Sequence, residues 1–310
     1  MARQAATLGR SFGQDWAAHA QAHPWALGGL VLASLALAGL FANSIWFQVT
    51  TGASEAFRLG LLGGAAGLSA TALGALPALF LRGIAQRSED VMLGLAAGMM
   101  LAASSFSLIL PGLAAGEAIT GSAGLGAAVV VLGLGLGTLL MLGLDEFTPH
   151  AHQTSGTYGP GSERVGRIWL FVLAITLHNL PEGMAIGVSF ARGDLSVGLP
   201  LTTAIALQDI PEGLAVAMAL RGAGLGPGRA VLVGAATGLM EPLGAILGIG
   251  LTSGLALAYP IGLGLAAGAM IFVVSHEVIP ETHRNGHQTP ATLGLMVGFA
   301  IMMFLDTALG

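Results

Sequence analysis

Long apolar runs dominate this chain. Nine windows, roughly 25–49, 59–81, 91–113, 123–144, 168–190, 195–220, 230–251, 261–281 and 291–309, carry almost no charge outside a few central acids. A helix needs about 20 apolar residues to cross the hydrocarbon of a bilayer. In lipid every backbone N–H and C=O must be satisfied within the protein, so segments of this kind can only be helices. Charged residues make up 9% of the 310, against about 25% in a soluble domain. The expected fold class is therefore an all-α polytopic membrane protein, a helical bundle. The 49 glycines would weaken helices in water. They suit membrane helices, whose backbones approach through small residues, and the pairs Gly94/Gly98, Gly234/Gly238 and Gly264/Gly268 read as such surfaces. There is no cysteine, hence no disulfide and no thiolate ligand. A net charge of −5 argues against nucleic-acid binding.

The connections set the orientation. Residues 1–24 read as a cytoplasmic tail in which His19 and His23 are solvated. Residues 25–58 read as a retained N-terminal helix with its connection, lacking a clear A-x-A cleavage site. Residues 59–310 then hold eight further spans, with 145–167 as the longest loop. All 11 basic residues are arginines. With nine crossings, Arg3, Arg10, Arg82, Arg87, Arg164, Arg167, Arg221, Arg229 and Arg284 fall on one side, and Arg58 and Arg192 on the other. The positive-inside rule places the N-terminus in the cytoplasm and the C-terminus outside. The expected location is a bacterial inner (plasma) membrane.

Ionisable groups at membrane depth are rare and mark function. The fifth window holds His178-Asn179-Leu180-Pro181-Glu182-Gly183, and the sixth holds Gln208-Asp209-Ile210-Pro211-Glu212-Gly213. One six-residue phrase thus recurs 30 residues later, each time near mid-depth. Consecutive spans run antiparallel, which is the local signature of an inverted repeat around a central site. Glu241-Pro242 adds a third central glutamate. Each acid costs about 2.5–3.5 kcal/mol at the helix centre, so Glu182, Asp209, Glu212 and Glu241 together ask about 10–14 kcal/mol. No arginine lies among them. Either most of them are protonated or cations sit among them, and two divalent cations would balance four carboxylates.

Helical spacing supports cations. Residues i, i+3 and i+4 share a face, so His178 and Asn179 flank Glu182, and Gln208 and Asp209 flank Glu212. One ligand set is His178, Glu182, Gln208 and Glu212. A second is Asn179, Glu182, Asp209, Glu212 and Glu241. The shared glutamates could bridge two metals. Imidazole with carboxylate and amide oxygen favours zinc, cadmium or other first-row divalent ions. Pro181 and Pro211 each free a carbonyl one turn back.

The paired phrases resemble the ZIP (Zrt-, Irt-like protein) divalent metal transporters over roughly residues 59–309. The resemblance implies an eight-helix core, to which helix 25–49 is an addition. It implies zinc or iron-type ions as transported substrate, with no catalytic cofactor, and flux into the cytoplasm. It carries transport-ligand roles onto His178, Asn179, Glu182, Gln208, Asp209 and Glu212. Many members open the second phrase with histidine, where Gln208 stands here, so metal preference does not transfer. The loop that is often histidine-rich in the family holds only His150-Ala151-His152. Expected partners are divalent metal ions and membrane lipid, with no nucleic acid; a homodimer is left open.

Weaker candidates lie on either side. His276 and Glu277, with Glu281, His283 and His287 beyond and Asp145 and Glu146 on the same membrane side, could form a cytoplasmic exit relay. Met100 shares a face with Ser104 and Ser107 and offers a soft thioether. Two other functions fit less well. A membrane-embedded metal-dependent hydrolase would want H-E-x-x-H, and His276-Glu277-Val278-Ile279-Pro280 fails at its last position. A proton-coupled organic solute carrier accounts for the acids but not for the His, Asn and Gln stacked against them.

Overall fold

The computed structural model describes residues 12–51, 55–148, 150–152, 156–158, 167–252 and 255–309. Its helices are α1 (Phe12–Ala22), α2 (Pro24–Thr51), α3 (Glu55–Leu79, ending in a 3₁₀ turn), α4 (Gln86–Thr120), α5 (Ala123–Phe147), α6 (Arg167–Ser189), α7 (Leu195–Gly222), α8 (Pro227–Thr252), α9 (Ala258–His283) and α10 (Gln288–Leu309). Helices α2–α10 fall on the nine apolar windows. Among the described residues seven helices are long and apolar enough to cross a membrane, or eight if the bent α1–α2 pair forms one span. The protein is an all-α integral membrane bundle, apart from a small antiparallel ribbon in the loop after α5, β1 (His150–His152) and β2 (Gly156–Tyr158).

Glycine decides which helices touch. A Cβ on Gly94 or Gly98 of α4 would run into the Ala291 or Leu295 carbonyl of α10, and Gly294 and Gly298 meet α4 in return. Gly133 and Gly137 of α5 interlock in the same reciprocal way with Gly264 and Gly268 of α9. Gly183 and Gly187 of α6 do so with Gly244 and Gly248 of α8. Gly74 of α3 and Gly213 of α7 meet each other's backbones likewise. Each pair runs parallel, as spans two, four or six crossings apart must. The core between them is filled by Met99, Met100, Ile186, Ile205, Leu263, Ala266 and Met270.

Three helices are irregular where the sequence windows read as continuous. α4 passes through a π-helical stretch at Ala103–Ile109 and α9 through another at Val274–Val278. Each runs up to the residues just before a proline, Pro111 or Pro280. A proline removes the bond to the carbonyl four residues back and clashes with it. The ladder shifts instead by one, with Leu110 N–H bonding Ser105 O and Ile279 N–H bonding Val274 O. α8 breaks between Thr237 and Met240, and Glu241-Pro242 opens its second half. Proline is tolerated there because the first-turn N–H groups have no intrahelical partner.

The N-terminal tail departs from the solvated expectation. α1 turns about 105° from α2 at His23-Pro24 and docks on the end of α5. Trp16 and His19 both pack on the buried Phe147 ring, at 5.2 and 5.5 Å, and His19 Nε2 lies 2.7 Å from Glu146 Oε1. Between α6 and α7, Asp194 caps α7 by accepting from Ser196 N and Oγ at 2.9 and 2.7 Å. These bonds hold its carboxyl below the ordinary aspartate range.

Candidate metal centre

The two phrases meet in the middle of the bundle. Carboxylate oxygens of Glu182, Asp209 and Glu212 lie within 4.8 Å of one another. Gln208 Nε2 donates to Glu182 Oε1. His178, Asn179, Glu182, Gln208, Asp209, Glu212 and Glu241 are all buried. Pro181 and Pro211 stay within helical backbone, and the phrases keep their i, i+3, i+4 faces.

The closing glycine of each phrase seats a neighbour. Gly183 has no Cβ, which lets the α8 backbone at Glu241 press against α6; a methyl there would lie 2.6 Å from Glu241 Cα. Gly213 admits the Thr71 backbone of α3 in the same way. Gly67, also on α3, leaves room for the Glu241 carboxylate and stands beside Asp209 Oδ2. Thr71 Oγ1 then donates to Glu241 Oε1 at 2.8 Å. Glu241 therefore enters from the start of a half-helix, where the dipole favours a negative charge. Its Oε2 and Asp209 Oδ2 converge on the same space beside Gly67. Two ionised carboxylates are acceptors only, so this approach needs a proton or a cation between them.

Five acceptor atoms here, Asn179 Oδ1, Glu182 Oε2, Gln208 Oε1, Asp209 Oδ2 and Glu241 Oε2, are buried without a hydrogen-bond partner among the described residues. Buried polar atoms are ordinarily paired. A knot of unpaired oxygens is what a hard or borderline cation requires, and protein donors would block it.

His178 links the site to α9. His178 Nε2 lies 2.7 Å from Glu277 Oε2 of α9. Glu277 thereby adjoins the central site itself and not only an exit beyond it. The π-helical stretch of α9 carries both Glu277 and His276, and His276 is 46% exposed, stacks on Phe272 and lies 3.4 Å from Asp145. The rest of the expected relay is engaged elsewhere. His287 Nδ1 pairs with Asp90 Oδ2 at 2.7 Å, and Asn285 binds the same aspartate. Glu281 pairs with Arg284 at 2.5 Å, and His283 bonds the Ile279 carbonyl at 2.8 Å. The side chains of His150 and His152 lie outside the described residues.

Met100 is buried on the π-bulged side of α4, with Ser104 Oγ bonding its carbonyl at 2.8 Å. Further along that helix Ser107 donates to Asp306 of α10. Sequence reasoning missed Thr71 and Asp306. Thr71 continues the Gly63, Gly67 series at four-residue steps, and Asp306 is the single acid of the last span; both were visible signals.

The profile of the family described as ZIP Zinc transporter matches residues 148–306. The chain is 64% identical over 307 residues to the zinc transporter ZIPB of Bordetella bronchiseptica, covering 99% of each chain. It is 42% identical over 245 residues to the zinc transporter GufA of Myxococcus xanthus, covering 78% of this chain and 95% of the relative. It is 36% identical over 248 residues to the zinc transporter ZupT of Stenotrophomonas maltophilia, covering 77% and 90%.

Proposed function

The chain belongs to the ZIP zinc transporter family, and from that membership we propose how it moves its cargo. It transports zinc as a divalent metal ion and is not an enzyme. The cargo binds between α6, α7 and α8 in a binuclear site. His178, Glu182, Gln208 and Glu212 serve one ion, and Asn179, Glu182, Asp209, Glu212 and Glu241 the other. Residues 59–310 form the eight-span transport unit and residues 25–58 an added span, behind the tail 1–24. The observation that carries the reading is the cluster of five buried, unpartnered oxygens contributed by both phrases and Glu241.

Flux runs into the cytoplasm of a bacterial cell across its inner membrane. The nine-to-two arginine split supports a cytoplasmic N-terminus and an outer C-terminus. Metal leaves by exchange from His178 to Glu277 and then past His276 and Asp145, each an imidazole or carboxylate suited to zinc. Met100 offers a soft contact on the opposite approach. Gln208 keeps the site open to cadmium and iron-type ions as well.

The test is uptake into proteoliposomes with zinc, cadmium, iron, manganese and magnesium supplied separately. Wild type should take up zinc and cadmium but little magnesium, and Glu182→Ala and Glu212→Ala should each abolish uptake. Unchanged zinc and cadmium uptake in both variants would remove the site assignment.

A further inference from the structure

A second group of metal-type ligands stands apart from the central site, where α1 meets the end of α5. His19, His23 and Glu146 each offer one ligand atom within 4.8 Å of the others. His19 Nε2 and His23 Nδ1 both address Glu146 Oε1, at 2.7 and 3.2 Å. Ligand atoms on one tetrahedral zinc sit ~3.3 Å apart, given zinc–ligand bonds of about 2.0–2.1 Å. The His23–Glu146 separation of 3.2 Å is already near that spacing, and all three donor atoms lie within 4.8 Å of one another.

The sequence and fold explain the grouping. His19 and His23 are four residues apart and share a face. The His23 N–H bonds the His19 carbonyl at 3.0 Å, so the turn is kept through the bend. Their rings stack at 4.4 Å. Phe147 fixes the His19 ring edge-on at 5.5 Å. Glu146 is held at the last turn of α5, next to Asp145, which faces His276 at 3.4 Å. His23 is 45% exposed, which leaves a path for an ion and room for a water as fourth ligand.

We propose that His19, His23 and Glu146 form a further, exchangeable binding site for a divalent transition metal, and that the bound ion fastens the tail helix α1 to the end of α5. The donor set, two imidazoles and a carboxylate with one open position, is of the class that takes zinc, cobalt or nickel and rejects magnesium. The ion replaces the hydrogen bond between His19 and Glu146, beside which His23 Nδ1 already stands 3.2 Å from the same oxygen. The site stands on its own residues and does not depend on the central site being the transport site. On the proposed orientation it faces the cytoplasm beside Asp145, so it reports the metal on the side to which cargo is delivered.

The experiment uses the full chain in detergent, loaded with Co2+ and separately with Zn2+. Wild type is compared with Glu146→Gln and with the double variant His19→Gln/His23→Gln. Two readouts apply: ions bound per chain with the Co2+ absorption spectrum, and hydrogen exchange of the peptide covering 12–23 with and without Zn2+. Expected results are loss of one equivalent of tetrahedral-type Co2+ in the double variant and, in Glu146→Gln, affinity at this site lower by at least ~10-fold, the lower end of what losing even an outer-shell partner costs. Zinc should slow exchange over 12–23 in wild type and not in either variant. Glu146→Gln keeps the length and an acceptor oxygen, so it separates ligation from simple docking. Equal Co2+ stoichiometry and affinity in all three proteins, or protection of 12–23 that does not respond to zinc, overturns the proposal. Failure of the Glu182→Ala and Glu212→Ala uptake test leaves these readouts unaffected, so the two ideas fall separately.

Discussion

Thr71→Val removes one hydrogen atom's worth of function from a residue outside the motif. The Thr71 hydroxyl donates to Glu241 Oε1 at 2.8 Å, and both side chains are within 2% of full burial. Valine keeps the volume, so cavity terms are small. What goes is a hydrogen bond to an ionised acceptor, worth about 1.5–3 kcal/mol. The loss matters most when Glu241 is charged, which is its state with metal bound. The Glu241 carboxylate, freed from Thr71, must then be oriented by the ion alone. At 1.4 kcal/mol per decade, about 1.5–3 kcal/mol corresponds to a weakening of metal binding by about 10–150-fold. The assay is zinc binding to the purified chain together with the zinc concentration dependence of proteoliposome uptake. Apparent affinity should fall by that factor, while Thr71→Ser, which restores the hydroxyl, should stay within a few-fold of wild type. A Thr71→Val protein with wild-type affinity would show that Glu241 needs no external support, and the reasoning from its unpartnered Oε2 would fail with it.

Other consequences follow from the same geometry. Gly183→Ala sets a methyl 2.6 Å from Glu241 Cα; the helices must separate, costing about 1–3 kcal/mol as overpacking does, and both thermal stability in detergent and zinc uptake should drop. Glu277→Gln keeps the size but removes the charge facing His178; zinc should still bind the central site, with slower uptake at saturating zinc, and an unchanged maximal rate would remove Glu277 from the path. Carboxylate and imidazole ligands must lose their protons to bind metal, so uptake should decline as external pH falls and recover on return to neutrality; flux that stays flat through the carboxylate range would contradict the ligand set. Asp194→Ala removes the cap of α7, a loss of about 0.5–2 kcal/mol, and should lower the melting temperature without changing metal affinity.

Much of the fold was legible because lipid leaves few options. An apolar window of spanning length has to be a helix, and helices α2–α10 fall on the windows read from the chain. The twin phrases were legible because their polar side chains stack locally, at i, i+3 and i+4. What escaped was non-local or depended on backbone detail. The break in α8 was announced only by Gly238 and Pro242, and a glycine and a proline four residues apart are common in a chain this rich in glycine. The roles of Gly67, Gly183 and Gly213 could not be read, since each is set by which helix arrives opposite. Thr71 touches Glu241 across 170 residues of sequence. His178 and Glu277 were both picked out as ligands, but nothing local says that one reaches the other. The tail was misread because α1 is too short and too polar to announce packing; its place is set by Phe147 and Glu146 on a distant helix.

The prolines and glycines divide the work of the bundle between them. Reciprocal glycines lock α3 to α7 and α6 to α8, and these four helices carry the two phrases, Glu241 and its support Thr71. Reciprocal glycines also lock α4 to α10 and α5 to α9. None of these interlocks crosses from the first four helices to the second. Across that boundary lies the pairing of His178 with Glu277, between charged or polar tips and not between backbones. Backbone contacts at glycine resist sliding, because any shift brings atoms into overlap; side-chain contacts between polar tips can exchange partners at much lower cost. The two π-helical stretches lie on α4 and α9, both in the second group, and the one on α9 carries Glu277, whose carboxylate reaches His178 of the first. A site carried on one rigid four-helix unit and faced by replaceable side chains on another is the arrangement that movement of one helix group against its neighbour requires.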